Sequence, residues 1–66
     1  MSTSETAAQL AAASELVANY RRRVADLATA HLGQEHDDLV SAIHEAERAL
    51  RTAERALQRA ERVARG

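Results

Sequence analysis

The sequence lacks cysteine, proline and lysine, has glycine at two positions, and holds one aromatic residue, Tyr20. Without cysteine, disulfides and thiolate chemistry are excluded, and the redox compartment stays open. Gly33 is the single helix breaker in the interior of the chain. One breaker and no proline favour two long helices joined at one turn, and they leave almost no support for strands.

Long apolar runs are also missing: no stretch approaches the roughly 18 apolar residues that a membrane span needs. The N-terminus lacks the basic residues that open a signal peptide, so we predict a cytoplasmic protein with no membrane partner. The sequence has no glycine-rich loop to hold a phosphate, and a two-helix module lacks a pocket of ligand size. We therefore expect no enzyme activity, no cofactor and no small-molecule substrate.

Alanine occupies 16 of 66 positions, and the second half of the chain repeats an alanine-rich heptad. Residues 45–65 read EAERALR, TAERALQ and RAERVAR, and in the first half larger apolar residues recur at alternating spacings of three and four. We predict an all-α antiparallel hairpin filling 1–66, with helix 1 at about 3–32, a turn at about 33–36 and helix 2 at about 36–65. Ser2 followed by Glu5 fits a capping box at the start of helix 1.

Assigning heptad position a to Leu10 and Ile43 predicts which residues lie between the helices. Helix 1 then has a at 10, 17, 24 and 31 and d at 13, 20 and 27. Helix 2 has a at 43, 50, 57 and 64 and d at 39, 46, 53 and 60, with alanine at d after Leu39. Large residues would face alanines, which allows close approach of the helices. In this register Arg21 is expected to pair with Glu47.

Position g predicts a second interface. In an antiparallel pair the two g columns lie on one side, and most of their members are apolar: Leu16, Ala30, Ala42, Ala49, Ala56 and Val63, with Gln9 and Arg23 as polar exceptions. A hairpin with such a flank is half of a four-helix bundle. We expect it to associate with itself, as a dimer first of all, or with another protein in a larger assembly. Composition suggests a bacterial or phage structural or accessory protein.

An arginine face on helix 2 is the alternative candidate surface. Its members are Arg48, Arg51, Arg55, Arg59, Arg62 and Arg65, and such a face could follow a phosphate backbone. Acidic residues alternate with these arginines, which is also typical of a solvated helix face. The use of arginine for all nine basic residues fits either a selected role or a GC-rich coding background.

Histidines and acids around the turn form a third cluster, with His31, Glu35, His36 and His44 as the residues that could bind a divalent transition metal. The spacing of glutamate and histidine seen in di-iron bundles is absent. We interpret His31 as a polar end of the core and the acids as helix-start charges, so no metal is predicted, although the sequence leaves metal binding open.

In length, turn position and heptads, though in no residue motif, the chain resembles the Rop-like plasmid-encoded RNA-binding hairpins. That resemblance implies a dimeric four-helix bundle and, as the alternative function, nucleic-acid binding or regulation through the arginine face. The topology is also similar to that of small secreted WXG hairpins, but the turn HLGQEHDD has no tryptophan and the chain is shorter.

Overall fold

The computed structural model describes residues 1–31 and 37–66 and contains two helices, α1 at Thr3–Ala30 and α2 at Asp37–Arg65. The helices pack against each other along their length, and the described residues include no strand. Thr3 and Ala7 lie beside Ala64 and Arg65, so the start of α1 meets the end of α2. The prediction of an all-α antiparallel hairpin is therefore confirmed. Gly33 and the predicted turn at 33–36 lie outside the described residues.

The ends of α1 follow from its capping residues. The Ser2 side-chain oxygen accepts a hydrogen bond from the Glu5 backbone N–H at 3.1 Å, and the Ser2 carbonyl accepts one from the Thr6 N–H at 3.0 Å. Ser2 itself has extended backbone angles, as an N-cap residue should. At the other end the His31 N–H donates to the Ala28 carbonyl at 3.1 Å, and α1 ends at Ala30, two residues before the predicted end.

The charged residues at the two ends of α2 match its helix dipole. Asp37 and Asp38 lie in its first turn, and Arg62 and Arg65 lie in its last turn. Acids at a helix N-terminus and bases at a C-terminus both interact favourably with the helix dipole.

Only small side chains are buried between the helices. Ala7, Ser14, Ala18 and Ala28 are buried, all of them on α1, whereas α2 has no buried residue. The larger residues of α2 that face this row of small residues are half-buried: Val40, Ile43, Leu50 and Leu57. Small residues on one helix and large ones on the other permit a close interhelical distance. The two helices thus lie close together, and most of the large apolar side chains of the hairpin stay incompletely covered.

The predicted interhelical surface is partly wrong. Residues at position a, such as Val17 and Leu50, are half-buried as expected, but Tyr20 and Leu27 at position d are 52% and 55% exposed. Leu39, Ala46 and Ala53, the first three d residues of α2, are exposed as well. Position e takes their place: Ser14 is buried, and Arg21, Glu47, Glu54 and Glu61 are half-buried. Each helix is therefore rotated about its axis, away from the a/d surface and toward position e, and on α1 position b also contributes the buried Ala18.

The shape leaves a large surface for a chain of this length. The Cα atoms extend 51 × 14 × 13 Å and have a radius of gyration of 15.2 Å. A compact domain of the same length would have a radius of gyration of about 11 Å. The accessible surface is 4865 Å², against about 4,100 Å² for a typical monomer of this mass. Neither α1 nor α2 has a stretch long and apolar enough to cross a bilayer.

Candidate interaction surfaces

The first candidate surface is the apolar face, which we define as the exposed apolar residues at positions d and g. On α1 these are Leu16, Tyr20, Leu27 and Ala30, and on α2 they are Leu39, Ala42, Ala46, Ala49, Ala53, Ala56 and Val63. Two antiparallel helices are related by an approximate two-fold axis, so equivalent heptad columns lie on the same side of the hairpin. Column d borders the groove between the helices, and column g lies further around each helix.

Every residue of the predicted g interface is exposed in the hairpin, with Leu16 at 57% and Val63 at 80%. Sequence reasoning did not assign Tyr20 and Leu27 to this surface, because it placed them between the helices. The signal that could have corrected this is a second row with spacings of three and four, in which Arg21 is the one long side chain. Its small residues are at 7, 11, 14, 18, 25 and 28. Once that row faces α2, column d turns outward and widens the apolar face.

Tyr20 lies at the middle of α1 beside Arg23, whose guanidinium carbon is 5.7 Å from the centre of the Tyr20 ring. This distance is within the range of a cation–π contact. Leu16, Asn19, Arg22 and Asp26 complete the lining of a surface depression of about 530 Å³ around the ring. The exposed Tyr20 ring is thus bordered on its outer side by polar and charged side chains.

The second candidate surface is the arginine face. All six of its predicted members are exposed. Arg51 pairs with Glu47 at 3.2 Å and Arg65 with Glu61 at 2.6 Å. Within the described residues, the other four have no ion pair. We call these four the arginine stripe: Arg48, Arg55, Arg59 and Arg62.

Of the four carboxylates predicted to alternate with the arginine face, Glu47, Glu54 and Glu61 are turned toward α1, and Glu45 is exposed. The side chains of Glu47, Glu54 and Glu61 are only 17%, 17% and 20% exposed, and each accepts a salt bridge from an arginine. Column f, which holds Arg48, Arg55 and Arg62, lies on the side of α2 opposite to column d. These three arginines and the apolar face therefore lie on opposite sides of α2, whereas Arg59, in column c, lies at the edge of the apolar face beside Ala56 and Val63.

One ion pair connects the two helices. Arg21 Nε donates to Glu54 Oε2 at 2.9 Å, and the two side chains are 21% and 17% exposed. The predicted partner of Arg21 was Glu47, so that prediction is wrong by one heptad. Glu47 instead accepts from Arg51 and lies 3.6 Å from His44 Nδ1. A long arginine side chain points toward the N-terminus of its own helix, which here is toward the later residues of α2.

The histidine and acid cluster is only partly within the described chain. Glu35 and His36 lie outside the described residues. Within 1–31 and 37–66, no three His, Asp or Glu side chains come together as metal ligands.

Comparison with protein-family models, curated proteins and solved structures finds no match to this chain.

Proposed function

We propose that this protein is a non-enzymatic assembly module whose hairpin associates with a second copy through the apolar face and so completes a four-helix bundle. The observation that supports this is the distribution of side-chain size. The buried residues of the hairpin are alanines and a serine, whereas Leu16, Tyr20, Leu27 and Leu39 are all exposed. Large apolar side chains on one side of an elongated molecule are the usual sign of a protein interface.

The dimensions of the apolar face suit a second copy. A helix of 28 residues is about 42 Å long at 1.5 Å per residue. Two helices packed 8–10 Å apart present a face about 18 Å wide. The product, about 750 Å² per hairpin, is close to the roughly 800 Å² per partner that stable protein interfaces bury.

The apolar face is also complementary to itself. Its α1 half is bulky, with Leu16, Tyr20 and Leu27, and the facing stretch of its α2 half is made of small residues, among them Ala46 and Ala53. A two-fold axis that places α1 of one copy over α2 of the other sets large residues against alanines in both halves of the interface. The alanines at position d of α2 would then accept side chains of the second copy.

Sedimentation equilibrium tests this proposal, with helicity measured by circular dichroism over the same dilution series. We expect a dimer that loses helix on dilution, because association is part of folding for a hairpin with so small a core. Ala53→Glu, which places a charge in column d, should abolish the dimer. Thr52→Glu is the matched control, since it adds the same charge one residue earlier, in column c, outside the apolar face.

Two results would contradict the proposal. One is a wild-type chain that stays monomeric and fully helical at all concentrations, which would assign the apolar face to a different protein. The other is equal weakening of the dimer by Ala53→Glu and Thr52→Glu, which would mean that a new charge weakens association whether or not it lies in the apolar face. A cytoplasmic location remains a prediction from the apolar runs and the N-terminal charges of the sequence, and a role as a bacterial or phage structural or accessory protein remains a prediction from composition.

A further inference from the structure

We propose that the arginine stripe of α2 is a binding surface for the phosphate backbone of a double-stranded nucleic acid. This surface lies on the outer side of α2, is exposed in the single hairpin and does not depend on self-association. The structure shows which of the arginines are already neutralised: Arg51 and Arg65 each pair with a carboxylate, and the arginine stripe does not.

On α2 beyond Arg48, the carboxylates are Glu54 and Glu61, and both are turned toward α1. Glu54 is bound by Arg21 across the hairpin, and Glu61 by Arg65. Arg48, Arg55, Arg59 and Arg62 are thus exposed cations with no carboxylate partner among the described residues. A face that reads as balanced in the sequence therefore carries four exposed arginines without a paired carboxylate once the hairpin forms.

The remaining acids do not cancel this charge. Asp37 and Asp38 are at the other end of α2, at least ten residues from Arg48, which is about 15 Å along the helix. This exceeds the Debye length of about 8 Å at physiological salt. On the same side of the hairpin α1 carries Glu15 and Arg22, whose formal charges cancel. Glu45 is the nearest exposed carboxylate on α2; it lies three residues before Arg48 and offsets part of the charge at that end, whereas Arg55, Arg59 and Arg62 have no acid three or four residues away.

The geometry favours a linear array of phosphates. Arg48, Arg55 and Arg62 are seven residues apart, so they form a nearly straight row about 21 Å long, with Arg59 beside its second half. A duplex presents a phosphate every 3.4 Å of its axis on each strand, so a row of this length lies along several phosphates. Guanidinium also binds phosphate through two parallel hydrogen bonds.

A duplex fits this surface better than a single strand. Proteins that bind single strands combine cations with aromatic side chains on which the bases stack. The one aromatic residue, Tyr20, lies in column d on the other side of the hairpin. The arginine stripe therefore contacts phosphates without reading bases, and we expect binding without sequence preference.

Fluorescence anisotropy with a labelled 20-base-pair DNA duplex between 50 and 200 mM NaCl provides the test. Four phosphate contacts predict a log–log slope of about −3.6 and a loss of affinity of about 150-fold across this range. In Arg55→Gln/Arg62→Gln the slope should fall to about −1.8 and the loss to about 12-fold. Glutamine is also a good helix former, so helicity should be kept, and circular dichroism checks this.

The matched control is Arg51→Gln/Arg65→Gln, which removes the same formal charge from the same helix at arginines that already pair with Glu47 and Glu61. We expect its salt slope to stay close to that of the wild type. Equal effects of the two double variants would overturn the proposal, because binding would then follow net charge and not the arginine stripe. It would also be overturned by no binding at 50 mM NaCl, or by equal affinity for poly-glutamate or for vesicles of anionic lipid.

Discussion

Leu27 and Leu16 provide a matched pair of substitutions that locates the centre of the dimer interface. Both residues are on α1, and they are 55% and 57% exposed in the hairpin. They differ in heptad position, because Leu27 is at d beside the interhelical groove and Leu16 is at g further around the helix. A second hairpin seated over the groove would cover Leu27 fully and Leu16 in part.

The expected magnitude follows from the exposed fraction. Leucine to alanine removes three carbon atoms, worth about 2.4 kcal/mol when fully buried. For Leu27→Ala, the exposed half contributes about 1.3 kcal/mol per copy, or about 2.6 kcal/mol per dimer. This corresponds to a dimer dissociation constant about 70-fold higher. If Leu16 is covered half as well, Leu16→Ala should raise the constant about tenfold.

Sedimentation equilibrium over a dilution series gives both dissociation constants. Alanine has a higher helix propensity than leucine, so neither substitution should weaken the helix itself. A Leu16→Ala effect as large as that of Leu27→Ala would refute this reasoning and make column g the centre, as the sequence suggested. Unchanged association in both variants would remove the apolar face as the interface.

Two further predictions concern the stability of the hairpin. Ser2→Ala should lower the free energy of unfolding by about 1 kcal/mol, because the Glu5 N–H loses its capping acceptor; thermal unfolding followed by circular dichroism measures this, and Ser41→Ala, at an exposed helical position, should show no loss. Arg21→Gln should cost about 1.5 kcal/mol, because it leaves the half-buried Glu54 without its charged partner. Arg51→Gln should cost only about 0.4 kcal/mol, because the Arg51 side chain is 50% exposed and Glu47 keeps His44 at 3.6 Å. Equal effects of Arg21→Gln and Arg51→Gln in urea unfolding would show that the cross-helix pair has no special role.

The sequence was sufficient to predict the two helices and the N-cap of α1. Serine and glutamate at the right spacing, a long segment without breakers and acids at the start of α2 each act locally, so no tertiary information is needed. The residues at position a were also predicted, because Val17 and Leu50 lie on the contact side of either possible interhelical surface.

The choice between the a/d and a/e surfaces could not be made from periodicity. Both rows have alternating spacings of three and four, one through Tyr20 and Leu27 and the other through Ser14 and Arg21. The first row offers larger apolar area, and the second offers closer approach and an ion pair. A heptad pattern identifies the apolar residues that need to be buried, but it does not say whether they pack against the same chain or against a second copy.

The positions of the two surfaces lead to one further prediction, which joins both proposals. A second hairpin seated on column d leaves column f of each copy facing outward, on opposite sides of the bundle. One dimer would then present two arginine stripes, pointing away from each other, and could hold two duplexes at once. Energy transfer between two differently labelled duplexes should therefore appear with wild-type protein at low salt. At protein concentrations below the dimer dissociation constant of the Leu27→Ala variant, this variant should show no energy transfer. It should still bind a single duplex. Equal energy transfer with the wild type and a monomeric Leu27→Ala would mean that bridging does not pass through the apolar face.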